Sequence, residues 1–383
     1  MVRWLEPVLG TLLMAIVLAD VFLTVLYARV GTGLLSPRLA RAEWRVFRAF
    51  ANRLDRSRGK ALSFLAPTIL TSLVFTWATL LAVGAGLVLH PALGNAVQTS
   101  TQPTPHDLMT AFYAGASSLS FLGVGDFSPR TTPYRLFYLF SSVIGIGTMT
   151  LTLNYLMQVY MGLRERNAYC LKLHLLSAQT DDAAEILAGF AMQGKFDASY
   201  SAFAEVAAEA TQVKEAHHFF PVLSHFRFRE PYYALCAAIL RTLDLVTLIK
   251  SALDDEPFAW VKESAAVTQL WRAGIMSAKL LDEAQQHHGE AKHGEEPDEE
   301  TRERWRRRYS AAMRRLRQAG VATYRDEAVG AEIYASLRAE WDHRVRVLAP
   351  AMGYEMKEID PAGSDPKTTD QLQNFDRRLT MAE

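Results

Sequence analysis

Three long apolar runs occupy the first 163 positions of the chain, at residues 7–27, 65–89 and 136–161. Each reaches the roughly 20 residues that a helix needs to cross a bilayer. Beyond them the pattern changes to apolar residues at helical spacing among charged ones. The first run reads as a span and not as a cleaved leader. Its apolar core is long, it holds Asp20, and Tyr27-Ala28-Arg29 is a poor cleavage site.

The polar stretch between the first two runs has its own period. Trp44, Phe47, Phe50 and Leu54 recur at helical spacing, with Arg41, Arg45 and Arg48 on another side. That is the pattern of a basic amphipathic helix in a membrane interface; a solvated charged connector is the alternative. Gly31, Gly33 and Pro37 suit a turn leading into it.

Between the second and third runs, Thr104-Pro105-His106-Asp107 opens a short helix. Thr104 is expected as its N-cap, Pro105 at its first position and Asp107 as the partner in a capping box. The helix is expected to end near Leu119, too short to span. Such a helix needs protein around it, and the negative end of its dipole favours a cation.

Charge sets the expected orientation. Of 41 basic and 41 acidic side chains, 12 basic and 6 acidic lie in residues 1–163, leaving 29 basic and 35 acidic beyond. The loop between the first two runs carries Arg29, Arg38, Arg41, Arg45, Arg48, Arg53, Arg56, Arg58 and Lys60, whereas the next loop carries Arg130, with Arg135 at its boundary. The excess of positive charge puts the first loop in the cytoplasm. The N-terminus then lies outside and everything after Leu163 inside.

The segment from Ser118 to Pro129, Ser-Leu-Ser-Phe-Leu-Gly-Val-Gly-Asp-Phe-Ser-Pro, resembles the selectivity filter of potassium channels. It aligns without a gap to the family pattern T-L-T-T-V-G-Y-G-D-x-T-P. Leu119, Gly123, Gly125, Asp126 and Pro129 are identical, and Ser118, Ser120 and Ser128 keep hydroxyls. Leu122 replaces valine and Val124 the aromatic residue. Phe121 departs from the signature threonine. The resemblance covers residues 65–165 and implies four subunits around one axis. It implies an ion pathway through Ser120, Phe121, Leu122, Gly123, Val124, Gly125 and Asp126, where backbone carbonyls replace an ion's hydration shell. Residues 134–163 become the inner, pore-lining helix, with Gly145, Gly147, Thr148 and Asn154 as hinge or cavity positions. The two glycines serve equally for close helix packing. Asn154 is costly in lipid and is expected to face the cavity.

Asp20, an ionisable residue inside a span, is a functional candidate by type. Its place near the cytoplasmic end favours a structural partner, Arg29 or the basic loop. The first span has no arginine repeat, so it does not read as a voltage sensor.

The second half reads as helices over 197–216, 231–253, 257–288, 298–319 and 322–354, with Thr180-Asp181-Asp182 as a further start. Its glycines are isolated, so neither a dinucleotide fingerprint nor a P-loop occurs. No β-roll pattern of a cyclic-nucleotide domain is present. His217, His218 and His225 read as structural. His287, His288 and His293 lie in an acidic linker, where a solvated linker is expected and a divalent-metal site is the alternative. The basic run from Arg302 to Arg317 is expected to pair with residues 295–300 or a neighbouring subunit, with anionic lipid or nucleic acid as alternatives. Cys170 and Cys236 suggest no disulfide framework.

The expected fold is an all-α membrane protein, a tetrameric potassium-channel-like pore of three spans plus a re-entrant pore helix, with an all-helical cytoplasmic domain. Its expected parts are an N-terminal span (1–30), a basic amphipathic linker (31–63), the pore domain (64–163), the helical cytoplasmic domain (164–360) and a disordered tail (361–383). The expected function is passive passage of monovalent cations, K⁺ first, in a plasma membrane of bacterial type. A weakly selective or non-conducting sensor or scaffold is the alternative. No enzyme activity, metal or cofactor is expected apart from K⁺ in the filter. The expected partners are three further copies of the chain and the bilayer, with anionic lipid at residues 38–60 and no nucleic acid.

Overall fold

The computed structural model of the chain describes residues 2–27, 33–51, 53, 58–99, 103–120, 125–286 and 297–360. The chain divides into two compact units, residues 1–53 with 64–160, and residues 54–63 with 161–383.

Helices dominate the first unit. Helix α1 (Val2–Val21) runs into a π-helical turn, Phe22–Leu26. Helix α2 (Ser36–Ala51) follows, with Pro37 in its first turn, where a missing N–H costs nothing. Beyond α3 (Arg58–Ser63), which belongs to the second unit, comes α4 (Leu65–Leu89), apolar on all sides as a membrane helix must be. Helix α5 (Leu108–Leu119) and the start of α6 (Thr132–Leu176) complete the unit. Among the described residues three helices are long and apolar enough to cross a membrane, Trp4–Leu26, Leu65–Ala92 and Thr132–Leu176. Helix α4 is the hub and packs on α1, α2 and α5. Met14, Val17 and Val21 of α1 meet Leu73, Trp77 and Leu81 of α4 in a buried cluster, with Leu39 of α2 packed against it.

Helix α5 begins later than its sequence suggests. Thr104 is not its cap, because its hydroxyl accepts the N–H of Thr99 (2.8 Å). Asp107 takes the role, extended at φ −112° and ψ 159°, with its carboxylate accepting from Thr110 N–H (2.9 Å) and Thr110 Oγ1 (2.7 Å). Those bonds hold the Asp107 carboxyl below the usual range. A two-stranded antiparallel ribbon, β1 (Val97–Thr99) with β2 (Phe127–Pro129), was not legible in the sequence.

In the second unit, α9 (Leu235–Ala252) is the axis, buried along almost its whole length. Around it lie α7 (Ala183–Phe190), α11 (Ala265–Gln286), α12 (Glu299–Gln318), α13 (Glu327–Ala339) and α14 (Asp342–Ala351). Helix α8 (Tyr200–Phe219) packs on α11; α10 (Asp255–Lys262) and α15 (Met356–Ile359) are short.

Two helices expected as continuous are broken. The stretch 257–288 divides at Ser264, whose hydroxyl accepts from Val267 N–H (3.3 Å) and starts a new helix. The stretch 322–354 starts only after Asp326, which caps α13, and breaks at Trp341. There the chain turns so that the fully buried indole donates to Thr247 Oγ1 (3.2 Å). Asp182 caps α7 through Ala184 N–H (2.9 Å), as its position suggested.

A charged network threads this core. Asp244 of α9 is fully buried and accepts from Tyr334 Oη (2.5 Å), Arg338 Nη1 (3.0 Å) and Arg308 Nε (3.0 Å). Asp342 and Asp360 bind the remaining faces of the two guanidiniums. Arg241, also fully buried, is paired with Asp181.

Candidate ion pathway

The site is assembled where α5 ends. Ser120 leaves the helix extended (φ −73°, ψ 129°), its N–H still bonded to Ala116 O (3.1 Å) and Ser117 O (3.2 Å). The carbonyls of this last turn carry the negative end of the helix dipole, which favours a cation. Phe121, Leu122, Gly123 and Val124 lie outside the described residues.

Helix α6 holds this end of α5 at two points. Ser142 Oγ donates to Ser118 O (3.1 Å). One turn further on, Gly145 passes so close that a Cβ there would overlap the Leu119 carbonyl oxygen. Of the two roles open to Gly145 in the sequence, hinge or close contact, the geometry exhibits the contact. The α-helix runs unbroken through it. At Gly147 an added Cβ would meet no atom within 4 Å, and the residue lies on the exposed side.

In the Gly-x-Gly-Asp segment, Gly125 takes φ +74°, a left-handed conformation natural to glycine. Asp126 is exposed and accepts from Tyr113 Oη (2.6 Å), a side chain of α5. Phe127 is buried in a cluster with Leu89, Leu93, Val97, Ala111 and Ala114, and meets Tyr113 edge-on at 5.6 Å. Its strand is then paired residue by residue with β1, Thr99 opposite Phe127 and Val97 opposite Pro129. Arg130 N–H bonds Ala96 O (2.8 Å) just past the ribbon. The C-terminal end of the segment is thereby tied both to α5 and to the loop after α4.

Along α6, Gly147, Thr150, Asn154 and Gln158 are all exposed and recur at steps of three and four. They form one polar stripe on a helix face otherwise occupied by exposed Met149, Leu153 and Met157. Thr148 is half-buried and lies off this stripe.

Sequence reasoning missed Tyr113, Ser142, Gln158 and strand β1. Tyr113 and Ser142 act through fold-dependent contacts to positions 13 and 24 residues away, and no local pattern marks them.

The other candidates do not gather into a site. Among the described residues no group of three His, Cys, Asp or Glu is placed to hold a metal. His217 is buried with Nδ1 against Val213 O (2.9 Å), and burial lowers its pKa to about 3. Cys170 and Cys236 are free and buried, and burial pushes both thiols up, Cys236 to about 12. In the basic run, Arg306 pairs with Glu299, Glu303 and Glu332, and Arg308 turns into the core. The acidic linker at 287–296 and the tail at 361–383 lie outside the described residues.

Residues 87–162 match the family model described as an ion channel. That stretch runs from the end of α4 through α5 and the Gly-x-Gly-Asp segment to the part of α6 carrying the polar stripe. The match supports a potassium-channel-like pore-loop ion-channel domain over that stretch, and the apolar helices suit a membrane protein. No curated protein and no solved structure matches the chain.

Proposed function

We propose that the chain forms a homotetrameric channel that passes monovalent cations, K⁺ first, down their gradient. The carbonyls of Leu122, Gly123, Val124 and Gly125 are the expected ligands, four copies of each surrounding the axis. The observation that carries this reading is the Gly-x-Gly-Asp segment mounted between a short helix end and a long apolar helix. Ser118 and Leu119 are gripped by Ser142 and Gly145 on one side, and Asp126 by Tyr113 on the other.

One filter loop cannot enclose an ion, so the pore needs several subunits. The exposed apolar side chains of α6, among them Leu139, Val143, Met149 and Met157, suit helix packing between subunits or lipid contact. The stripe of Gly147, Thr150, Asn154 and Gln158 suits a water-filled cavity, since polar groups in lipid are costly. The arginines between the first two spans favour a cytoplasmic loop there. In that orientation the N-terminus and filter mouth face outward and residues 164–360 form a cytoplasmic domain, in a plasma membrane of bacterial type.

Phe121 favours a second reading. It stands where the family has a threonine whose hydroxyl lines the innermost ion site, and phenylalanine offers none. A weakly selective pore, or a silent one that signals through its helical domain, follows from that loss.

Purified protein in liposomes distinguishes these readings. K⁺ efflux well above Na⁺ efflux, from a particle with the mass of a tetramer, supports the selective channel. Equal fluxes support the weakly selective pore, and a tight, ion-impermeable tetramer supports the silent sensor. A stable monomer removes the pore altogether.

A further inference from the structure

We propose that α2 is a docking surface for the headgroups of anionic phospholipids, held against α1 and α4 by the buried carboxylate of Asp20. The proposal rests on the membrane reading of α1 and α4 and not on ion conduction. Asp20 lies one residue before the end of α1 and is fully buried. Its Oδ1 accepts from Leu35 N–H (2.7 Å) and, at 3.5 Å, Ser36 N–H. Its Oδ2 accepts from Ser36 Oγ (2.8 Å) and from Trp77 Nε1 (2.7 Å) on α4. Ser36 Oγ also lies 2.8 Å from Thr24 Oγ1. The orphan donors that open α2 are thus satisfied by a carboxylate inside a neighbouring span, which also complements the positive end of the α2 dipole.

Asp20 lies in the last turn of α1, so the start of α2 is held near the end of that helix, towards the level where hydrocarbon gives way to headgroups. Its side chains suit that place. At 100° per residue, Arg38, Arg41, Arg45 and Arg48 fall within one narrow sector. Leu39, Trp44, Phe47 and Phe50 fall on the other side. Leu39 packs on the α1–α4 cluster and Trp44 is buried, while Val46 (67 %) and Phe50 (58 %) remain exposed. Arg38 and Arg45 are exposed, and among the described residues Arg38, Arg41 and Arg45 form no ion pair with a carboxylate. Glu43, the one acidic residue of the helix, has its Oε2 shielded and lies away from the arginine sector. A row of cations beside exposed apolar side chains is complementary to phosphate groups standing above acyl chains. A soluble anion has no use for Val46 and Phe50, and a zwitterionic surface has no net charge for the arginines.

The test uses full-length protein in detergent and a phosphatidylglycerol with a fluorescent tail. Unlabelled phosphatidylglycerol, phosphatidylcholine and inorganic phosphate serve as competitors. Phosphatidylglycerol is expected to displace the probe, while the other two do not. Replacing all four arginines by Gln is expected to weaken probe binding at least about tenfold, at about 1 kcal/mol per cation at a lipid surface. Asp20→Asn is expected to weaken it less. Should the fourfold variant not fold, wild type carries the test alone, because salt raised to about 1 M screens the row and is expected to release the probe. Four results overturn the proposal: equal displacement by phosphatidylcholine, displacement by phosphate, binding indifferent to salt, or undiminished binding by a fourfold variant of normal oligomeric size. The assay needs no ion flow, so a silent pore leaves its outcome readable.

Discussion

The indole of Trp77 donates a hydrogen bond to the carboxylate of Asp20 at 2.7 Å, with both side chains buried between two apolar helices. A charge in that setting persists only when its lone pairs are occupied, and Ser36 and Leu35 occupy the others.

Asp20→Ala leaves the Trp77 N–H and the start of α2 without an acceptor. Each unsatisfied buried group costs about 1–3 kcal/mol. The variant is expected to melt well below wild type in detergent. Asp20→Asn, which keeps an oxygen acceptor, is expected to fall between them.

Gly145 and Gly147 are two residues apart on α6 but are expected to respond differently to an added methyl group. Gly145→Ala pushes a Cβ into the Leu119 carbonyl and must displace the end of α5 or α6. It is expected to lower the yield of assembled protein and to abolish ion flux. Gly147→Ala meets no atom within 4 Å inside the subunit, and the chain is expected to fold as wild type by size-exclusion and thermal melting.

Asp244 anchors two buried guanidiniums and a tyrosine. Asp244→Ala leaves those cations partly uncompensated, a change that costs about 3–5 kcal/mol when one partner of a buried pair is removed. Loss of the cooperative melting transition of the second unit is expected. Glu256, an exposed carboxylate paired with exposed Arg325, is the control; its replacement by Gln is expected to shift melting by less than about 1 kcal/mol equivalent.

Buried His217 supplies a pH dependence. Its pKa is lowered from 6.5 to about 3, chiefly by burial, so the unfolded chain binds this proton first on acidification. Stability from keeping it neutral is complete above about 6.5 and is lost as pH falls from there towards 3. The slope contributed is at most about 1.4 kcal/mol per pH unit. His217→Gln is expected to remove this component, read as a flatter melting profile than wild type between pH 6.5 and about 4.5.

Phe121→Thr restores the hydroxyl that the family pattern places at this position. It is expected to raise K⁺ flux and discrimination against Na⁺ in liposomes. A wild type that already discriminates strongly, with a threonine variant indistinguishable from it, shows position 121 to be neutral.

The linear order of residues determined the spans, the pore-loop segment and several helix starts by itself. Hydropathy over about 20 residues is a local sum, and α4 occupies Leu65–Leu89, the very run read from the sequence. Caps such as Asp182 and glycines such as Gly125 are equally local, because they answer to their own backbone. Sequence alone placed the start of α5 at Thr104, but the fold gave Thr104 to Thr99 and left the cap to Asp107. It offered Arg29 and the basic loop to Asp20, while the partners within the described residues are Ser36, Leu35 and, 57 residues away, Trp77. The same holds for Tyr113 with Asp126 and for β1 with β2. Several candidates of equal chemistry lay within reach of each of these groups. Only the packing of α1, α4, α5 and α6 brings one of them within hydrogen-bond distance.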